Sequence, residues 1–442
     1  DAERKAVYES FGLALDGLSS LCEAGARAAE AAFRAATAAR SQELQEMAES
    51  CRRIMHGPPL TFRDAIQLMW FIILSLWVAE RVGLVVPGHI DRTLWPFYQR
   101  DVKEGRLGRD KALQLVEALY LQINELIPDG LAMSVMVGGR DEDGRDVTND
   151  LSYLGLEALR RTKLVYPTVG LCWHEGTPDD LVNLAVELVG NGHSTPAFFG
   201  DEVIQKGLKG LGVPLREACG YINSTCVEIT PCGASNVWVA SPYFNTCGFL
   251  LEEMAGQDGR PAASFEEFVE RYRGRLADKI ASAVAEQNEL RRARQKAGGK
   301  PLQSVFTRSC IERGRDIDHG GATYNWVECS FVGLANLADS LYVIREEVFR
   351  QKRVSLDAMR KVLEANFEGH EDIRQRFLNA YPKYGQGDGE VDAFVGETVR
   401  FARASVEGLD GLLVPLRQRL EQKLIATAYV ERVRIQRDTA AV

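Results

Sequence analysis

The stretch Ile222-Asn223-Ser224-Thr225-Cys226-Val227-Glu228-Ile229-Thr230-Pro231-Cys232-Gly233 decides how the chain is read. A long, largely helical and apolar lead-in ends here, and a Gly/Pro-containing turn follows. In extended backbone, residues i and i+2 point to the same side. Cys226 and Glu228 are therefore expected on one face with Val227 turned away, which sets a thiol beside a carboxyl in the interior. For an isolated Cys-x-Glu triplet the simpler account is a buried cysteine acting as a small hydrophobe. The sequence on either side decides between the two.

The chain has 442 residues, 45% of them hydrophobic, enough for a large core. Its net charge is −9 with both signs interspersed, so there is no basic footprint for nucleic acid. The longest uncharged apolar run, AIQLMWFIILSLWVA (65–79), is 15 residues and reads as a buried core helix, short of a membrane span. Nine cysteines lie scattered, with no CxxC pair and no Cys/His cluster that would hold zinc. That usage fits a reducing cytoplasm. The first residue is Asp1 and no signal peptide is visible, so the sequence is read as a fragment or a processed chain.

Residues 1–57, rich in Ala, Glu and Arg and free of Pro, predict long helix, as a hairpin. Residues 1–60 are taken as an N-terminal helical segment and 61–442 as the core. After Pro58-Pro59, Thr61 and Asp64 form a capping-box pattern that opens an apolar helix over 62–82. Further helices are expected at 109–126, at 150–161 and from Thr177-Pro178 to Gly190, the last with Thr177 as its cap and Pro178 at N1. Others follow at 264–296, opened by Ser264 with Glu267 three residues later, and at 333–350, 356–367 and 391–426. Strands are expected at Met133–Gly138 and Val165–Cys172, and the segment Val237–Phe244 reads as strand or buried loop. The acidic turn around Asp141 and Asp143 lacks the distal glutamate of a calcium loop and is read as a solvated turn. The class is α/β with helix dominating.

None of the six histidines has metal-ligand spacing, so no metal site is expected. No nucleophile elbow, phosphate loop or dinucleotide fingerprint occurs. His89 and His193 lie near glycines, where a structural role and a cavity-lining role both remain open.

Taken together, the motifs resemble the glycyl radical enzymes, the group around pyruvate formate-lyase. The pieces that carry the resemblance are PGHIDRTLWPFYQRD (87–101), VGGRDEDGRDVTNDLSYLGLEA (137–158), TPAFFGDEVI (195–204) and STCVEITPCGASN (224–236). GRDIDHGGATYNW (314–326), VGLANLADSLYVI (332–344) and YPKYGQGDGEVD (381–392) continue the order. The resemblance implies a barrel of short strands wrapped in helices, with a finger loop around Cys226 inside it. It further implies that Cys226 is the thiyl-radical cysteine and Glu228 a general acid/base, in a cavity that excludes water and oxygen. Pyruvate formate-lyase itself has two adjacent cysteines; here Thr225 precedes Cys226, which disfavours that activity.

Two departures shape the expectation. Where the polyol dehydratases carry a His-Ser pair and an Asp fourteen residues after the cysteine, this chain has Gly83-Leu84 and Ala240. The expected substrate-binding wall is Leu84, Val86, His89, Trp238, Val239 and Ala240. A small apolar or aromatic organic acid is therefore expected in place of a polyol, as substrate of a lyase or decarboxylase. A radical C–C bond-forming synthase stays open as the alternative. The family stores its radical on a glycine in a C-terminal Arg-Val-x-Gly-Tyr loop, and residues 412–442 hold no glycine. The sequence is thus read as truncated at both ends. A non-catalytic or split subunit, completed by a polypeptide that supplies the loop, is the other alternative. By the resemblance no cofactor is bound; the radical is installed by a separate S-adenosylmethionine [4Fe–4S] activase, and the protein is an anaerobic, cytoplasmic homodimer without nucleic-acid or membrane partners.

Overall fold

The computed structural model describes residues 2–83, 85–127, 133–223, 228–238, 242–256, 260–327 and 329–406. These fall into two compact units, Asp1–Val237 with Gln295–Asn325, and Trp238–Arg294 with the described residues from Trp326 on.

The first unit begins with the expected helical hairpin, α1 (Ala2–Phe33) and α2 (Ala38–His56). Leu18, Cys22 and Ala26 of α1 meet Cys51 and Ile54 of α2, together with Phe71 and Leu76 of the next helix, α3 (Phe62–Glu80). The capping box forms as its sequence predicts: Thr61 Oγ1 accepts from Asp64 N–H at 3.1 Å and Asp64 Oδ2 from Thr61 N–H at 3.2 Å. By length and composition α3 could cross a membrane. Here its Phe62, Ala65, Ile66 and Ile73 are buried in a core shared with the sheet.

That sheet alternates with helices: β1 (Gly88–His89), α4 (Ile90–Thr93), α5 (Trp95–Lys103), α6 (Arg109–Leu126), β2 (Ser134–Gly138), α7 (Asp150–Thr162), β3 (Thr168–Trp173), α8 (Asp179–Gly190), β4 (Ala197–Gly200) and α9 (Asp201–Gly210). The four strands are parallel in the order β1-β2-β3-β4, with Ser134 opposite Thr168 and Gly170 opposite Ala197. Parallel strands joined through helices are buried on both faces. On the outer face Val135, Val137, Val169 and Leu171 pack against residues of α6, α7 and α8. The alternate residues Ser134, Met136, Gly138, Gly170, Cys172 and Phe199 form the inner face. Its fit is tight, since a Cβ on Gly170 would stand 2.5 Å from Met136 Sδ. After the short α10 (Leu215–Ala218) come the hairpin strands β5 (Tyr221–Asn223) and β6 (Ile229–Pro231), then β7 (Ser235–Trp238).

Two local readings are corrected. The strand expected from Val165 starts at Thr168, because Val165 is 61% exposed ahead of Pro167. Thr177 was expected to cap α8, but its hydroxyl turns back to accept from His174 N–H at 3.0 Å, and the helix opens without a side-chain cap.

In the second unit β8 (Tyr243–Asn245) leads into α11 (Thr246–Met254) and α12 (Phe265–Ala297). Ser264 and Glu267 cap α12 as expected, and Phe268, Tyr272, Leu276 and Ile280 line its buried stripe at helical spacing. Past α13 (Pro301–Val305) and α14 (Cys310–Arg313), which belong to the first unit, come β9 (Tyr324–Val327), β10 (Ser330–Val332) and α15 (Leu334–Ile344). β10 pairs parallel with β8. A π-helical turn, Arg345–Arg350, extends α15, followed by α16 (Leu356–Glu364), α17 (Glu371–Asn379) and α18 (Gly389–Val406). The helix expected over 391–426 is described to Val406; the remainder lies outside the described residues.

Candidate active site

The site is built on the β5–β6 hairpin. Its strands run antiparallel with Tyr221 opposite Pro231, Ile222 opposite Thr230 and Asn223 opposite Ile229. The Cys232 N–H donates to the Gly220 carbonyl at 3.0 Å, so even-numbered residues of this strand turn their backbone groups toward β6. Pro231, with no N–H to donate, stands at a non-bonded position. The carbonyls of Cys219, Tyr221 and Asn223 then point to the opposite edge, which pairs with no strand among the described residues.

Three side chains take those carbonyls. Arg92 Nη1 donates to Cys219 O at 2.7 Å, His89 Nε2 to Tyr221 O at 2.6 Å and Ser134 Oγ to Asn223 O at 2.9 Å. They come from α4, β1 and β2, so the hairpin lies on the inner face of the parallel sheet. The Cys172 thiol on that face lies beside the Tyr221 hydroxyl, and burial pushes both groups up in pKa.

His89 is 4% exposed, and burial together with the charge of Arg92 pushes its pKa down to about 3. The ring is neutral, and because a carbonyl only accepts, its proton sits on Nε2. Nδ1 has no hydrogen-bond partner among the described residues. Arg92 also reaches Gly138 O at 2.7 Å. Gly139 makes room for it: its φ is +94°, and a Cβ there would stand 2.6 Å from Arg92 Nη2. Next to them the Asp91 carboxylate accepts from Gly138 N–H and from Ser152 Oγ, each at 2.6 Å, while burial pushes its pKa up.

Just ahead of β6, Glu228 is 4% exposed, a buried carboxyl. Thr230, two residues on, is equally buried, with no partner for its hydroxyl among the described residues. Cys226 lies outside the described residues, as do Leu84, Val239 and Ala240. Val86 is half-buried in the segment between α3 and β1, and Trp238 ends β7. Glu228 and His89 are both buried, Glu228 just ahead of β6 and His89 against the Tyr221 carbonyl of β5. The Arg92, Ser134 and Tyr221 contributions were not anticipated. Arg92 and Ser134 sit in or beside motifs the sequence singles out, but pairing with β5 is a long-range event without a local signal. Among the described residues no cluster of three or more His, Cys, Asp or Glu could hold a metal ion.

A sequence model of the family described as pyruvate formate lyase-like matches residues 1–410. The trans-4-hydroxy-L-proline dehydratase of Clostridioides difficile is 30% identical over 426 residues, covering 89% of this chain and 54% of that enzyme. Its crystal structure with trans-4-hydroxy-L-proline bound superposes with a TM-score of 0.86 at 29% identity, covering 93% of this chain and 56% of that one. The indoleacetate decarboxylase of Tractidigestivibacter scatoligenes is 25% identical over 359 residues, 74% of this chain and 40% of that enzyme. The chain spans about half the length of the curated relatives it matches.

Proposed function

The chain belongs to the pyruvate formate lyase-like family of glycyl radical enzymes, and from that premise we propose that it carries the finger loop of a lyase or decarboxylase acting on a small apolar or aromatic organic acid. Cys226 abstracts the hydrogen and Glu228 moves the proton. The observation that carries the reading is the buried Glu228, 4% exposed, two residues after Cys226 in a hairpin fastened to the sheet.

In the proposed step a Cys226 thiyl takes a hydrogen atom from a substrate C–H. The C–H bond breaks, the S–H bond forms, and the unpaired electron moves to carbon. The substrate radical loses its leaving group, with Glu228 giving or accepting the accompanying proton. The product radical then recovers the hydrogen from the Cys226 thiol, which restores the thiyl. A radical S-adenosylmethionine activase supplies the radical, and the protein works as a cytoplasmic homodimer. Burial keeps water and stray hydrogen donors away from these intermediates.

Leu84 and Ala240 stand where polyol dehydratases carry hydroxyl-binding groups, which favours an apolar acid. A site built to bind hydroxyls discriminates strongly in their favour, and an apolar one does not. The test is turnover of indole-3-acetate and phenylacetate, against trans-4-hydroxy-L-proline, glycerol and propane-1,2-diol, by the protein combined with a polypeptide that supplies the glycyl radical loop and activated anaerobically. The reading expects product from the aromatic acids. Preferential turnover of the hydroxylated compounds would overturn it.

A further inference from the structure

We propose that Arg92, His89 and Ser134 are positioning residues for Cys226, which they hold by fixing the register of β5, the strand that leads in sequence to it. The inference rests on Cys226 as the hydrogen-abstracting residue and adds which side chains place it.

β5 is three residues long and pairs only with β6 among the described residues. A two-stranded hairpin of that length holds its register weakly by itself. Its free edge presents a carbonyl at every second residue, roughly 7 Å apart. The three donors stand at matching heights: Arg92 beside Gly138 at the end of β2, His89 in β1, and Ser134 at the start of β2. A slip of two residues would leave a donor facing no carbonyl and a buried carbonyl without a donor. The arrangement therefore reads one register, and Asn223, its last member, stands immediately before the loop that contains Cys226.

Each donor is itself held. Arg92 bridges Cys219 O and Gly138 O, tying β5 directly to β2, and Gly139 leaves the space it needs. His89, neutral in its buried site, presents its proton on the nitrogen that faces Tyr221 O. Ser134 is fully buried, so its hydroxyl has no water to turn to. Rigid packing passes this placement along: the inner face leaves no room where Gly170 meets Met136 and Phe199. A hydrogen-abstracting sulfur must stand within van der Waals reach of one C–H, and a misplacement of about 1 Å can cost roughly 100-fold in rate.

The test uses Ser134→Ala, His89→Leu and the donor-retaining His89→Gln. In the unactivated protein the readout is the rate of Cys226 alkylation by iodoacetamide, followed by mass spectrometry. In the protein combined with a polypeptide that supplies the glycyl radical loop and then activated, it is glycyl radical content by electron paramagnetic resonance, with kcat and KM on the acid turned over in the substrate panel. The proposal expects Cys226 alkylation to rise about tenfold in Ser134→Ala and His89→Leu as the loop gains freedom. It expects kcat to fall roughly 10- to 100-fold with KM nearly constant and radical content unchanged. His89→Gln should recover most of both. The double variant should lose less than the product of the single losses, because both act through one strand. Unchanged alkylation and kcat in Ser134→Ala, the mildest change, would overturn the proposal. So would a His89→Gln variant as impaired as His89→Leu, or a kcat loss matched by lost radical or lost fold. Cys226→Ser separates the two levels. If it keeps turnover, the reading of the site fails. If it is dead while Ser134→Ala and His89→Leu behave as wild type, only the positioning role fails.

Discussion

Replacing Asp64 by Asn removes a buried charge that ties α2 to α3, and its cost can be worked from the contacts. The Asp64 side chain is fully buried. Oδ1 accepts from Ser50 Oγ at 2.7 Å and Arg53 Nη2 at 2.8 Å; Oδ2 accepts from Arg53 Nε at 3.0 Å and from the Leu60 and Thr61 N–H groups at 3.2 Å. An asparagine keeps one oxygen for Ser50 and Arg53, but turns an NH2 toward donors on the other side. The lost cap costs about 1 kcal/mol. The lost charge-assisted contact costs about 2 kcal/mol, at the lower end because Arg53 is 37% exposed and returns to water. The total of about 3 kcal/mol lowers the melting temperature of a unit this size by about 6–10 °C. Burial alone would raise the Asp64 pKa; the hydrogen bonds from Arg53 and Ser50 and the Arg53 charge outweigh it and hold the carboxyl below its ordinary value. A folded pKa below the unfolded value of about 3.9 gives stability that is present above about pH 4 and lost as pH falls through the folded pKa. Calorimetry of wild type and Asp64→Asn should therefore show the full gap at pH 7 and a narrower one near pH 3.5. A shift below about 2 °C at pH 7, or a gap that widens on acidification, would refute the reasoning.

In the second unit Arg376→Leu should cost about 3 kcal/mol, because it strips the fully buried Glu347 of contacts at 2.9 and 3.2 Å and leaves Arg353 and Tyr381 as its side-chain partners among the described residues. Denaturant unfolding checks this, and a loss below about 1 kcal/mol contradicts it. Gly321→Ala should destabilise the first unit by about 2 kcal/mol or more, since its Cβ would stand 2.2 Å from Arg315 O and 2.8 Å from Asp316 O, backbone atoms that cannot turn aside. Gly190→Ala, with nothing within 4 Å of the added carbon, is the control and should melt almost as wild type does.

What could be read in the sequence was local. The Thr61/Asp64 and Ser264/Glu267 pairs specify helix starts through side chains that meet within one turn; the first closes as a full box, and in the second Ser264 Oγ accepts from Glu267 N–H while Glu267 Oε2 accepts from Ala263 N–H. The buried stripe of α12 follows from helical spacing alone. Thr177 carried the same kind of signal and failed, because the His174 N–H competes for its hydroxyl. The run LAMSVMVGG identified β2 as a strand. It could not say which residues face the helices and which face the hairpin, since both faces of a parallel strand are buried and apolar. The fastening of β5 was hidden for another reason. Arg92 meets Cys219 across 127 positions and His89 meets Tyr221 across 132, contacts that only the folded sheet creates. The Cys-x-Glu spacing pointed to Glu228, whose burial the structure describes, and the roles of Glu228 and Cys226 stand as proposals.

The most direct measurement compares wild type and Cys226→Ser, each combined with a polypeptide that supplies the glycyl radical loop and activated anaerobically with S-adenosylmethionine and the activase, reading the glycyl signal by electron paramagnetic resonance and product from the same tube. The account predicts equal radical content in both and product from wild type alone, because the serine hydroxyl cannot relay the hydrogen atom. Product formed by Cys226→Ser at the wild-type rate would contradict it.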